Sequence, residues 1–207
     1  MIDTEELRSF RCPGWVSLPE IELYMDQVLT LVGKYFGIFS GADNVTASMI
    51  NNYVKAGVVP APKKKRYGKE HICRIFMICV LKRVLSISQI GRLLSLLEEN
   101  MDSEHVYGLF CAELDRSVGY IGTILSGGAA AYPACGDKAG AELSLQCAVD
   151  AVANCILADV ILQQKPDGEE TTEKQYKEHD TGCGKAPGAF CFQVSLREPP
   201  PLSGSRR

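Results

Sequence analysis

Side chains that can bond to a nucleic acid are concentrated between Thr46 and Tyr67. Asn51 and Asn52 carry amides with neighbouring donor and acceptor atoms, a pattern that suits bidentate hydrogen bonding to adenine. Consecutive cations from Lys63 to Arg66 offer positive charge to phosphates. The candidate DNA-binding residues are Thr46, Ser48, Asn51, Asn52, Tyr53, Lys55, Lys63, Lys64, Lys65, Arg66 and Tyr67. This stretch predicts binding to double-stranded DNA.

The other candidates take part in the same hypothesis. Thr46 and Ser48 stand where a helix would begin, and the backbone N–H groups and helix dipole there favour a phosphate. Tyr53 and Lys55 are placed to reach the sugar-phosphate backbone. Taken singly, a polar helix face or a basic loop is more often a surface that contacts only water. Their joint occurrence favours the DNA interpretation.

Charge is distributed unevenly along the chain. The whole sequence holds 22 Lys and Arg against 25 Asp and Glu, a formal charge of −3. Between Asn44 and Arg92 there are ten basic residues and a single acid, Glu70, so this segment carries +9 and the remainder −12. Such a concentration of positive charge indicates a polyanionic partner, whereas the alternative is a solvated basic face of a helical domain.

A helix and a hairpin are predicted around the candidate residues. Thr46 suits the N-cap of a short helix, and Gly57 suits its left-handed C-terminal closure. Val58, Val59 and Tyr67 then fit two short strands of a hairpin, because the two prolines between them forbid a helix. A basic hairpin beside an exposed helix is typical of a winged helix-turn-helix, in which the hairpin lies against phosphates.

Further helices are predicted on both sides of this module. A helix is expected from Pro19 onward, and others begin at about Lys69 and at Ser86, which forms a capping box with Gln89. Helical stripes also cover Ser103 to about Leu125 and about Lys138 to Gln164. Polar residues recur every four positions in the last helix, so we expect its other faces to be covered by this chain or a second copy. These polar residues are Glu142, Gln146, Asp150 and Asn154.

These elements divide the chain into four predicted segments. They are a leader over residues 1–18, a DNA-binding domain over 19–98, a helical dimerisation or effector region over 99–165, and a disordered tail over 166–207. The predicted fold class is all-α with a small β wing.

The run MINNYVKAGVVPAPKKKRYGKEHI, with LYMDQV before it and LKRVLSISQI after it, resembles a bacterial family of unknown function related to MerR-type regulators. The resemblance covers about residues 18–98. In it, Asn51 to Gly57 is similar to the MerR segment around its Arg-Tyr-Tyr, and Arg66-Tyr67 to the Arg-Tyr of the MerR wing. The resemblance implies a MerR-like winged helix-turn-helix followed by a helical dimerisation or effector region.

Other classes of protein are disfavoured by the same sequence. No histidine has a Ser, Cys or carboxylate partner at a recognisable catalytic spacing, and Gly127-Gly128 is not a phosphate-binding loop, so we expect no enzyme and no cofactor. The nine cysteines lack metal-ligand spacing, so no metal site is expected. Five of them fall among apolar residues of predicted helices and are interpreted as core residues, namely Cys73, Cys79, Cys111, Cys147 and Cys155.

The predicted function is therefore sequence-specific binding of double-stranded DNA by a transcriptional regulator. The alternative is a protein-interaction module that does not bind DNA. We expect a homodimer formed through Ser103 to Gln164, an inverted-repeat operator, an effector region open to an unknown small molecule, and a cytoplasmic protein without a membrane span. Asp150, Asn154 and Asp159 interrupt its most apolar segment.

Overall fold

A computed structural model of the chain describes residues 4–40, 45–132, 134 and 136–163. The predicted tail lies outside the described residues. The helices are α1 (Thr4–Ser9), α2 (Met25–Ser40), α3 (Ala47–Lys55), α4 (Lys69–Leu81), α5 (Ile87–Glu98), α6 (Ser103–Leu125) and α7 (Gly140–Gln163), with a 3₁₀ turn at Trp15–Ser17. The described residues lie in one compact unit, within which the functional boundary between residues 98 and 99 stays a prediction.

The predicted β wing is wrong, because the described part of the chain contains seven α-helices and no β-strand. The N–H groups of Val58 and Val59 both donate to the carbonyl oxygen of Tyr53, at 3.0 and 3.2 Å. These two residues therefore close α3 instead of starting a strand. Tyr67 forms an isolated bridge with Leu23, and Lys63 forms another with Arg66. A winged helix-turn-helix is consequently not supported.

Helix α2 begins six residues after the predicted start at Pro19. Leu23 is held in an extended conformation because it exchanges two backbone hydrogen bonds with Tyr67, both 2.9 Å long. The side-chain oxygen of Gln27 then accepts from the N–H of Tyr24 at 2.9 Å, at the start of the helix. Ile21 and Tyr24, which a helix from Pro19 would contain, consequently lie before the helix and are exposed.

Helix α4 is the centre of the core. Every residue from Ile75 to Leu81 is buried, so this helix is apolar on all sides and must be surrounded. Helices α2, α6 and α7 pack against it. The aromatic rings of Phe36 in α2 and Phe76 in α4 lie 4.7 Å apart between their centroids. Cys73 and Cys79, which were predicted to be core residues, lie in this helix and are buried.

Two residues of the polar stripe of α7 face the core instead of solvent. Gln146 and Asp150 are buried where α7 packs on α6. One carboxylate oxygen of Asp150 accepts from the hydroxyl of Ser117 at 2.5 Å and from Arg116 at 2.8 Å. The reason for the inward orientation is that α6 supplies polar partners at this depth, so the buried carboxylate keeps its hydrogen bonds.

The outer face of α7 is more apolar than a usual surface. Leu162 is 83% exposed, and Cys147 and Cys155 are exposed too, so their assignment to the core was wrong, whereas Cys73, Cys79 and Cys111 are buried as predicted. By length and composition α7 could cross a membrane, but half of its most apolar window is buried inside this fold. A core helix of a globular protein has the same properties, so the absence of a membrane span stays a prediction.

Candidate nucleic-acid interface

Helix α3 presents a polar face to solvent. Its first turn is capped by Thr46, whose hydroxyl oxygen accepts from the N–H of Met49 at 3.3 Å, as predicted for an N-cap. Gly57 follows the helix at a φ of +73°, in the left-handed region expected for a closing glycine. Ile50 is buried on the inner side of the helix. The exposed side chains are Ser48, Asn51, Asn52 and Lys55.

None of these four side chains bonds to another residue in the part of the chain that the structure describes. Buried polar groups are normally paired within a fold, whereas exposed ones are open to water or to a partner. The two neighbouring amides of Asn51 and Asn52 therefore keep their full set of donors and acceptors.

The two tyrosines of the predicted site are not on the surface. Tyr53 and Tyr67 are only 5% and 3% exposed, so burial removes them from the predicted set of DNA-contacting residues. Burial also raises the pKa of both phenols above its ordinary value. Tyr67 packs edge-to-face on the ring of His71, with 5.7 Å between ring centroids. Both tyrosine side chains are part of the hydrophobic core.

Residues Lys63 to Arg66 form a tight reversal, which we call the basic turn. The N–H of Arg66 donates to the carbonyl oxygen of Lys63 at 2.9 Å. Lys64 and Lys65 have φ angles of +50° and +61°. A two-residue reversal with both central φ angles positive is normally built from Asn and Gly, because other residues are strained there by about 1 kcal/mol or more each. Lysines at these positions therefore cost stability and add charge.

The basic turn is anchored at one end only. The guanidinium of Arg66 donates to the hydroxyl of Tyr24 at 3.3 Å and lies over its ring, 5.4 Å from the centroid. Lys63, Lys64 and Lys65 make no ion pair or hydrogen bond through their side chains among the described residues. Tyr24 was missed as a partner because 42 residues separate it from Arg66 and no local pattern joins them.

Other cations of the basic segment serve the fold. Lys69 pairs with Glu20, Arg74 with Glu98, and Arg83 with Asp159. All three acids lie outside the segment from Asn44 to Arg92. The net charge of +9 counted for that segment is therefore larger than the charge that remains available to a partner. Within the part of the chain that the structure describes, the cations on or near α3 that make no ion pair are Lys55, Lys63, Lys64, Lys65 and Arg66.

The exit of α3 is held by α4 and α5. The guanidinium of Arg74, besides its pair with Glu98, donates to the carbonyl oxygen of Val58 at 3.0 Å. At Gly91 in α5, an added Cβ would meet a methyl carbon of Val58 at 3.0 Å, so the two segments are closely packed. These contacts fix the direction in which the chain leaves α3 toward the basic turn.

Comparison with known families assigns the segment that contains α3 and the basic turn to a family. Residues 13–110 match the family described as a domain of unknown function, DUF1836. These residues form a DUF1836 domain. It contains α2 to α5, all of the candidate site and the first part of α6, whereas α7 lies beyond it. The predicted resemblance to a family of unknown function is thus confirmed, with nothing that links the DUF1836 domain to MerR-type regulators. No curated protein and no solved structure matches the chain.

Proposed function

We propose that the DUF1836 domain binds double-stranded DNA through α3 and the basic turn, and that the protein regulates transcription. The observation that carries the proposal is a group of five cations without an ion pair among the described residues, beside an exposed helix face with two amides that bond to none of them. A phosphate backbone would satisfy the cations, and base edges in the major groove would satisfy the amides.

The spacing of the two parts supports a single duplex as their partner. Lys55 and Lys63 are separated by eight residues, so their Cα atoms cannot be more than about 28 Å apart. One turn of B-DNA is about 34 Å long. Cations at the end of α3 and in the basic turn can therefore contact phosphates within one turn of one duplex.

The strain in the basic turn also favours function over solubility. A solvated loop gains nothing from lysine at the two left-handed positions, where Asn-Gly would be more stable. Backbone strain of this kind is concentrated at functional sites, such as ligand-binding residues. We propose that Lys64 and Lys65 are kept there because the apex of the turn lies against phosphates.

The relation to MerR-type regulators is part of the proposal, without a wing. It is motivated by the motif from Asn51 to Tyr67 and by the order of α3, the basic turn, α4 and α5. In this proposal the basic turn alone takes the position on the phosphate backbone for which we had predicted a hairpin.

We also propose a homodimer that uses the outer face of α7. Its exposed side chains include Cys155, Ala158, Ile161 and Leu162, which are apolar or only weakly polar. A two-fold pair would place two copies of α3 on one side of the duplex, so the operator would be an inverted repeat. Sedimentation equilibrium tests this proposal. A Leu162→Glu variant should shift the protein toward monomer, and a wild-type monomer at micromolar concentration would contradict it.

Fluorescence anisotropy with labelled duplexes tests the DNA proposal. With five phosphates neutralised, the logarithm of the binding constant should fall with the logarithm of salt concentration at a slope near −4.5, which is about −0.9 for each phosphate. A duplex selected from a random pool should bind more tightly than random DNA of the same length. The alternative, a protein-interaction module, gives no salt-dependent binding to any duplex.

A further inference from the structure

A groove lies between α5 and the start of α7, formed in part by residues beyond the DUF1836 domain. Its volume is about 600 Å³, within the roughly 300–1,000 Å³ that is usual for small-molecule sites. Leu93 and Leu97 are buried beneath it, and Leu96 is 41% exposed at its edge. The groove therefore offers an apolar floor.

Three charged side chains lie on the rim of the groove. Arg92, Glu99 and Glu142 border it, and none of them makes an ion pair or side-chain hydrogen bond within the described part of the chain. The neighbouring Glu98 does not border the groove and is paired with Arg74. An apolar floor with a few unsatisfied polar groups is the composition of a ligand site.

The positions of two charged residues on the rim indicate how far apart the charged groups of a bound molecule would be. Arg92 lies in α5 and Glu99 is its C-cap, seven positions later, which separates their backbones by about 10 Å along the helix axis. Their charges are opposite. A complementary molecule carries a carboxylate and an ammonium group at a similar separation, and an extended peptide advances about 3.5 Å per residue. Three residues with free termini match this distance.

We propose that the groove binds a zwitterionic molecule with an apolar body, of the size and chemistry of an apolar tripeptide. The carboxylate lies at Arg92, the ammonium group at Glu99, and the apolar side chains cover Leu93, Leu96 and Leu97. The carboxylate of Glu142 adds negative charge on the α7 side. The proposal does not depend on DNA binding, and it is tested without DNA.

Calorimetric titration of the full chain with trileucine at low ionic strength tests it. The matched ligands are N-acetyl-trileucine, which lacks the ammonium group, and trileucine amide, which lacks the carboxylate. Each blocked peptide should bind about threefold to fivefold more weakly than trileucine, the range of a solvent-accessible ion pair. An Arg92→Gln variant should bind trileucine more weakly by a similar factor and bind trileucine amide with unchanged affinity. A Glu99→Gln variant should also bind trileucine more weakly, and its affinity for N-acetyl-trileucine should be unchanged.

Two further variants separate a built site from general apolar binding. Leu96→Asn removes apolar area from the edge of the groove and should weaken all three peptides, whereas Glu104→Gln on α6 should change none. Arg92, Glu99 and Glu104 are exposed, so their variants should fold even if Leu96→Asn does not. The proposal is overturned if trileucine does not bind at millimolar concentration, or if the blocked peptides bind as tightly as the free one.

Discussion

Charged residues serve opposite purposes in two regions of the molecule. On α3 and the basic turn, the side chains of Lys55, Lys63, Lys64 and Lys65 are exposed and bonded to nothing in the described chain. Between α6 and α7, the side chains of Glu113 and Asp150 are only 5% and 9% exposed and are bonded to cations. The first set is available to a partner, and the second stabilises the fold. The difference between the two sets lies in burial and in partners that are distant in the sequence, such as Arg116 and Asp150.

The buried region is a connected network. Arg116 bonds to a carboxylate oxygen of Glu113 and to one of Asp150, at 2.8 Å in each case. Lys138 bonds to the other oxygen of Glu113 and to the side-chain oxygen of Gln146. Because two carboxylates face two cations, the network is neutral. It joins α6, α7 and the segment that connects them.

The largest expected effect is on the buried network. An Arg116→Ala variant leaves Asp150 with only a hydroxyl partner, and breaking a buried ion pair on one side costs about 3 kcal/mol or more. Urea unfolding should show this loss, while DNA affinity per folded molecule stays at the wild-type value. The matched control, Arg92→Ala, removes an exposed arginine that makes no ion pair among the described residues, and it should change the unfolding free energy by less than about 0.5 kcal/mol. Equal effects of the two changes would remove the distinction between the regions.

The next effect is on the exposed face. An Asn51→Ala variant should weaken binding to a selected duplex by about 1–3 kcal/mol and leave binding to random DNA nearly unchanged, because only the selected site offers the matching base edge. Its unfolding free energy should not fall, since Asn51 has no partner among the described residues. Asn100→Ala, an exposed asparagine after α5, is the control. If Asn51→Ala weakens selected and random DNA alike, the base-reading role is wrong.

The smallest effect concerns an exposed ion pair that belongs to neither region. The side chain of Asp102 accepts from the N–H and the ring Nδ1 of His105, and this hydrogen bond raises the pKa of His105 above its ordinary value of 6.5. The pair therefore stabilises the fold below that value, and the stabilisation is lost as the pH rises through the raised pKa. NMR titration of the ring between about pH 5 and pH 8 checks the direction. A ring that titrates at or below 6.5 would contradict it, and Asp102→Asn should return it toward that value.

Much of the helical structure could be predicted from local sequence. Helix α6 has the predicted bounds, α5 begins at the predicted capping box of Ser86 and Gln89, and Thr46 caps α3. Each of these signals acts over a few residues, where hydrogen-bonding geometry decides the outcome.

The errors came from contacts between distant segments. Tyr67 pairs with Leu23 instead of Val58 or Val59, so the predicted wing does not form. Asp150 faces Ser117 across two helices, so two of the four residues in a polar stripe that resembled a surface edge, Gln146 and Asp150, are buried. In the candidate site, the exposed residues of α3 were identified, but Tyr53 and Tyr67 were not recognised as buried because their hydroxyl groups suit either environment.

The central claim is that the unpaired charge of the basic turn is there for phosphates. The double variant Lys64→Asn, Lys65→Gly tests it most directly, because it removes two charges and supplies the residues that this reversal prefers. We expect the slope of the logarithm of duplex affinity against the logarithm of salt concentration to change from near −4.5 to about −2.7, with an unfolding free energy no lower than that of the wild type. An unchanged slope with an intact fold would contradict the account.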